Sequence, residues 1–256
     1  MKNLFLLTLI LLAALSVQAQ KGLKLGAFVQ PQFVYLYNAD DLNLDLDQYR
    51  PEPLWGMSGG VTFGYHFNRF IGFRLQGMYS QQGGSYSSRR SVSGRTTYVT
   101  RLEYLKVPLM LGFNTNPDNR KTVFALYGGI QANLLTRAFT YNDNPVIALP
   151  LPENITDFPS TYATYRAATY SIVGETGIDV KLPPDNFVLN IRLRADYELT
   201  DTENKDASFR LTQGGTTTRQ NYWTWARGIS RDAETFGLTA GLVIGVTYTF
   251  GQPPVE

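Results

Sequence analysis

The chain contains no cysteine and a single histidine. Without cysteine there are no disulfides, no thiolate metal sites and no lipid anchor on an N-terminal cysteine. With His66 as the sole imidazole, histidine-dependent hydrolysis or acyl transfer has one place to reside. A dominant charge is missing too: 23 Lys and Arg against 21 Asp and Glu leave a formal net charge of +2, which lacks the basic footprint of a nucleic-acid-binding protein. Beyond the opening residues there is no apolar run of the roughly eighteen residues that a membrane-spanning helix needs. Methionine is sparse, at four residues, whereas 16 Tyr, 15 Phe and 23 Gly are present, and their spacing carries the information.

The one continuous apolar segment comes first. Lys2 precedes Leu4 to Leu15, broken only by Thr8, and Val17-Gln18-Ala19 supplies a small-residue cleavage motif. This is the layout of a secretory leader. Residues 1–19 are therefore expected to be removed, leaving 20–256 as one domain that starts at Gln20.

After the leader the chain alternates. Thr235 to Phe250 sets Phe236, Leu238, Ala240, Leu242, Ile244, Val246, Tyr248 and Phe250 on one face and Gly, Thr and Val on the other. A soluble strand commonly has about five or six residues, whereas a strand crossing lipid needs about nine to eleven alternating ones. The same period returns in Leu23–Tyr37, in Trp55–Phe67, from Ile71 onward, in Leu105–Phe113, in Val123–Leu135, in Tyr170–Leu182 and in Phe187–Leu199. The expected fold is all-β, a transmembrane up-and-down antiparallel β-barrel of eight strands in meander order. A further hairpin in the third and fourth long loops would make ten.

Connection lengths test this independently. The odd connections, Asn38–Leu54, Gly83–Thr97, Thr136–Ala168 and Thr200–Glu234, read as long loops; the even ones, Asn68-Arg69, Asn114–Lys121 and Pro183–Asn186, read as short turns. Long external loops and short periplasmic turns are the pattern of outer-membrane barrels, with both termini periplasmic. A soluble lipocalin-like barrel turns its apolar side chains inward. Here the second face of one strand carries Arg192, Arg194, Asp196 and Glu198 in succession, which no dry apolar core accommodates.

The fourth run is irregular. Arg101 and Glu103 share the parity of the lipid-facing Leu105 and Val107, so either the strand rises above the bilayer there or a bulge changes its register. Pro108 lies mid-strand and removes a ladder hydrogen bond. The segment Leu102-Glu103-Tyr104-Leu105-Lys106-Val107-Pro108-Leu109 resembles the Tyr-Leu-x-Ile/Val-Pro-Leu strand of the small outer-membrane β-barrels of the Bacteroidota called PorT-like. The opening Gly22 to Gly26 and the closing Gly241 to Phe250 resemble that family as well. The resemblance implies an outer-membrane barrel and an accessory role in type IX protein secretion, with secretion-system proteins as partners.

Inward parity collects Lys24, Arg74, Lys106, Lys181, Arg192 and Arg194 against Glu175, Asp179, Asp196 and Glu198. Eight strands leave a lumen that side chains just fill. A sealed, paired network is therefore expected in preference to a basic solute path, because buried charges are paired. Tyr248 and Phe250 resemble the C-terminal signal read by the barrel-assembly machinery. The other expected neighbours are outer-membrane lipids and lipopolysaccharide, with no nucleic acid.

No cofactor or metal site emerges. Asp40, Asp41, Asn43, Asp45 and Asp47 alternate oxygen ligands, but the Gly and terminal Glu of an EF-hand are absent, and a solvated acidic loop is the simpler reading. His66 falls beside a short periplasmic turn, the wrong end for chemistry on external substrates, and reads as a hydrogen-bonded structural residue. Tyr222, Trp223 and Trp225 are candidate loop contacts or belong to the interfacial aromatic belt. The apolar stretch Pro145 to Pro152 is a candidate cap or docking segment. The expectation is a non-enzymatic structural or interaction barrel, with a narrow channel or ligand-binding barrel as the alternative and an outer-membrane hydrolase behind both.

Overall fold

The computed structural model describes residues 22–38, 50–67, 70–91, 94–115, 121–142, 155–157, 159–183, 186–213, 215–222 and 233–250. The leader, the acidic loop from Asp40 to Asp47, the stretch Pro145 to Pro152, Trp223 and Trp225 lie outside the described residues. The strands are β1 (Leu23–Asn38), β2 (Arg50–Glu52), β3 (Leu54–His66), β4 (Ile71–Ser91), β5 (Gly94–Asn114), β6 (Thr122–Asn142), β7 (Ile155–Thr156), β8 (Ala168–Leu182), β9 (Phe187–Glu198), β10 (Ser208–Gln213), β11 (Thr216–Asn221) and β12 (Thr235–Thr249).

Eight of these close on themselves. Each wall strand pairs antiparallel with its neighbours in the chain, in the order β4-β3-β1-β12-β9-β8-β6-β5, and the β4–β5 pairing completes the ring. The seam between first and last strands runs from Lys24 opposite Thr249 to Asn38 opposite Thr235, and the Phe250 amide donates to the Leu23 carbonyl at 2.9 Å. Closure matters because a backbone group left unpaired in hydrocarbon has no water to turn to. The fourth-loop hairpin does exist, as β10 and β11, but it joins β7 in a separate three-stranded sheet. The wall therefore has eight strands and not ten.

Period-two alternation sorts side chains between two solvents. Leu25, Val29, Phe33, Val61, Leu75, Leu109, Leu111, Leu126, Ile130, Ile172, Leu193, Leu242 and Ile244 face outward and are exposed, while Gln30, Arg74, Gln131, Glu175, Arg192 and Arg194 face inward and are buried. An apolar band on the outside and polar side chains within is the reverse of a soluble barrel. Aromatics edge the band: Phe33 meets Trp55 edge-on at 5.0 Å near the long-loop end. At the opposite end Tyr248 contacts Phe187 at 5.2 Å and Phe250 at 4.8 Å. No helix among the described residues is long and apolar enough to cross a membrane; the crossing is made by strands.

Three local features bear on the sequence reading. First, Gly83–Thr97 is not a loop, since β4 runs to Ser91 and β5 starts at Gly94. Likewise β6 extends to Asn142, so the wall rises beyond the membrane on one side, where its Ser- and Thr-rich sequence reads as loop because neither face meets lipid. Second, β5 keeps its parity through Arg101 and Glu103, and the irregularity lies in its partner. Glu103 is opposite Arg137 and Tyr104 opposite Leu135, which makes Thr136 the extra residue of a β-bulge. Third, the β4–β5 register skips Gln76 and Gly77 opposite Val107 and Pro108, while Pro108 keeps Gln131 of β6 opposite it. A residue without N–H cannot complete both ladders.

Glycine acts most specifically at Gly112. The Tyr127 ring lies over it so closely that an added Cβ would come within 2.1 Å of a ring carbon, whereas nothing stands within 4 Å of a Cβ at the outward Gly77. Gly112→Val should therefore destabilise the barrel by about 1–3 kcal/mol through overpacking, and Gly77→Val should leave stability unchanged. Urea titrations of the two variants in lipid vesicles check this; equal midpoints would contradict it.

Candidate functional site: the barrel lumen

The lumen is filled in layers, and adjacent strands supply most of the pairing. Across β8 and β9, Glu175 stands opposite Arg194 and Asp179 opposite Asn190. This register lets one carboxylate serve several cations. Glu175 lies 3.0 Å from Arg74, 3.2 Å from Arg194 and 3.5 Å from Arg192. Asp179 accepts from Arg192 Nη2 at 2.5 and 2.7 Å, from Arg192 Nε at 3.0 Å and from the Asn190 amide at 2.9 Å. Asp196 accepts from Lys106 at 2.6 Å and from Gln131 at 3.3 Å.

Neutral groups add to the coordination of Arg194. It donates to Gln76 at 2.7 Å and to Gln131, so two amides from other strands take donors that the carboxylates leave. Arg74 also sits over the face of Tyr127, 3.8 Å from the ring centroid, and the Tyr127 hydroxyl donates to Asn114 at 3.3 Å. The β1–β3–β4 side of the lumen adds a neutral set, with Gln30 donating to Gln32 at 2.9 Å and Gln32 to Ser80 at 3.2 Å. Four buried cations, Arg74, Lys106, Arg192 and Arg194, thus face four buried anions, Glu175, Asp179, Asp196 and Glu198.

Glu198 joins this set differently. Its carboxylate accepts from Thr169 at 3.1 Å, from Asn133 at 3.4 Å, from Thr202 and from the backbone N–H of Gly237 at 3.1 Å. Directed neutral dipoles hold a buried charge where no cation reaches it. Lys181 does not join: it is only half-buried and lines a small cavity with Lys24, Asn114 and Asp179 at the short-turn end.

Toward the long loops the character of the lumen changes. Leu36, Leu102, Tyr104, Leu135 and Tyr165 form a buried apolar cluster, with Ala138 and Tyr222 packed against it. Tyr222 therefore belongs to the cap over the lumen. Above it, buried Asp201 accepts from the amides of Glu203 at 3.0 Å and Thr235 at 2.9 Å. The cavities left at the short-turn end hold about 10 and 30 Å³, room for individual waters.

His66 lies at that same end, where the Asn114 amide donates to its Nε2 at 2.6 Å. Nucleophile, base and orienting group do not converge there, and no group of three or more metal-ligating side chains occurs among the described residues. Tyr248 and Phe250 face outward at the seam between β12 and β1. The residues that sequence reasoning did not single out as lumen partners are Gln76, Tyr127, Gln131 and Asn190. Inward parity was their only signal.

A polar, charge-balanced interior inside an apolar wall agrees with the family comparison, in which the model of the outer membrane protein beta-barrel domain matches residues 38–204. The chain belongs to this family. Among solved structures this outer-membrane barrel is similar to OprG from Pseudomonas aeruginosa, at 12% identity over 91% of this chain and 98% of that one, with a TM-score of 0.48. It is also similar to Neisserial surface protein A, at 11% identity over 88% and 97%, with a TM-score of 0.43. No curated protein matches the chain. Because short connections mark the periplasmic side of such barrels, the termini of the wall are periplasmic and its long extensions extracellular.

Glu175 is the anion on which three arginines converge. Glu175→Ala should cost about 3–5 kcal/mol, because truncating one partner strands buried charge. Arg210→Ala, which breaks the exposed pair with Asp157 at 3.3 Å, should leave stability within experimental error. Unfolding titrations in lipid vesicles decide the matter, and a silent Glu175→Ala would contradict the assigned role.

Proposed function

We propose that the protein, delivered by a leader spanning residues 1–19, is a sealed, non-enzymatic outer-membrane barrel that works through its extracellular surface. One observation carries the reading: the charged layers are spanned by ion pairs and amide bonds, and a buried apolar cluster lies toward the long loops from them. An ion crossing this lumen would have to break paired charges and then enter apolar packing, each a costly step. The inward residues serve to fill the barrel, and Tyr248 and Phe250 serve as its assembly signal.

The surface left for recognition is the extension of β4, β5 and β6 beyond the membrane together with the β7–β10–β11 sheet. Exposed polar side chains on β11, from Thr216 to Arg219, suit transient contact with another protein. The Leu102 to Leu109 segment supports the narrower reading of a PorT-like accessory of type IX secretion. It contributes Leu102 and Tyr104 to the apolar cap and Lys106 to the ion network.

Two measurements test the proposal. Reconstituted in planar bilayers, the purified barrel should carry no steady current; stable unitary conductance would replace the sealed reading with a channel. Cross-linking of intact cells, followed by purification through an affinity tag placed after Gln20, should recover secretion-system subunits. Recovery of the barrel alone would remove the secretion role and leave the sealed fold unaffected.

A further inference from the structure

We propose that the outward face of β5 and β6, one step above the apolar band, binds the phosphate groups of lipopolysaccharide through Arg137 and Arg101. The Thr136 bulge is the first observation. Leu135 points into the lumen, so in a regular strand Arg137 would point inward as well, into the cluster of Leu102, Tyr104 and Leu135. The extra residue reverses the parity, and Arg137 emerges outward with its side chain 78% exposed. Bulges re-aim side chains, and what this one delivers is a guanidinium on the lipid side of the wall.

The surroundings of Arg137 are the second observation. Its Nε lies 3.9 Å from Glu103, whose side chain is 12% exposed. The carboxylate is tucked against the wall while the guanidinium projects past it. Arg137 makes no protein hydrogen bond among the described residues beyond that long contact. Arg101 stands on the same face of β5, opposite Phe139, which is itself exposed to the membrane side.

Depth identifies the occupant. Directly below lie Leu105, Val107, Leu109 and Leu111 on β5 and Leu134, Ile130 and Leu126 on β6, all exposed. The two arginines therefore stand at headgroup level on the extracellular side, where the outer leaflet carries phosphorylated glycolipid. A planar guanidinium meets a phosphate through two parallel N–H bonds, and cations beside a membrane gain from anionic headgroups. The inference rests on the orientation of the barrel and is independent of any protein partner.

The test uses full-length barrel in detergent, incubated with purified lipopolysaccharide, with bound lipid quantified after size exclusion. The Arg101→Ala/Arg137→Ala variant should lose at least about tenfold in affinity, and enzymatically dephosphorylated lipopolysaccharide should bind the unaltered barrel equally poorly. Glu103→Gln should bind as well as the unaltered protein or better, since it removes a competing anion. A loss in Glu103→Gln matching that of Arg137→Ala would mark a structural ion pair and overturn the site. So would full binding of the dephosphorylated lipid, or equal displacement by phosphatidylglycerol. The dephosphorylation arm decides the question even where the double variant fails to fold.

Discussion

A strand in hydrocarbon must satisfy every backbone N–H and C=O within the protein, and the rest of this structure depends on that constraint. Eight strands meet it by closing β4 onto β5 and β12 onto β1. Closure then fixes the two faces: one side of each strand meets acyl chains and the other meets only its own kind across a narrow lumen. Proline is tolerated at Pro108 because its ladder to β6 survives where its ladder to β4 is interrupted.

The lumen follows from closure. Inward side chains cannot all be apolar in a chain that reaches its membrane through water, and once polar they must be paired in a space too narrow for bulk solvent. Two arrangements meet that demand. On β8 and β9 it is met by charge, with Glu175 shared among three arginines and Asp179 held by Arg192. On β1, β3 and β4 it is met by amides and hydroxyls, Gln30, Gln32, Ser58 and Ser80. Gln76 links the two arrangements by accepting from Arg194.

Parity made much of this legible in advance. Arg74, Lys106, Glu175, Asp179, Arg192, Arg194, Asp196 and Glu198 lie buried within the wall, because period two leaves a strand only two choices once one face is seen to be apolar. Partners were another matter. Gln76 lies 118 residues from Arg194 and Gln131 lies 63 away, and only the strand order of a closed sheet makes them neighbours. The length of β4 and β5 was hidden for a different reason. Above the membrane neither face is apolar, so Ser85, Ser87, Thr97 and Thr100 carry no alternation, and a strand without alternation looks like a loop. The Thr136 bulge was invisible because nothing about a threonine announces an extra residue. Of the two explanations offered for the parity conflict at Arg101 and Glu103, the strand rising above the bilayer holds for β5, and the bulge lies across from it on β6.

The placing of the bulge on β6 has a physical explanation that bears on function. An outward charge above the apolar band is no anomaly on β5, where Arg101 and Glu103 simply continue the strand past the hydrocarbon. The adjustment falls on β6, because its regular continuation would have sent Arg137 into the apolar cap that Leu135 completes. One inserted residue keeps the cap apolar and adds a cation to the outer surface. The same bulge thus serves the sealing of the lumen and the chemistry of the wall. In a barrel whose interior is fully occupied, recognition has to be built from such adjustments on the outside.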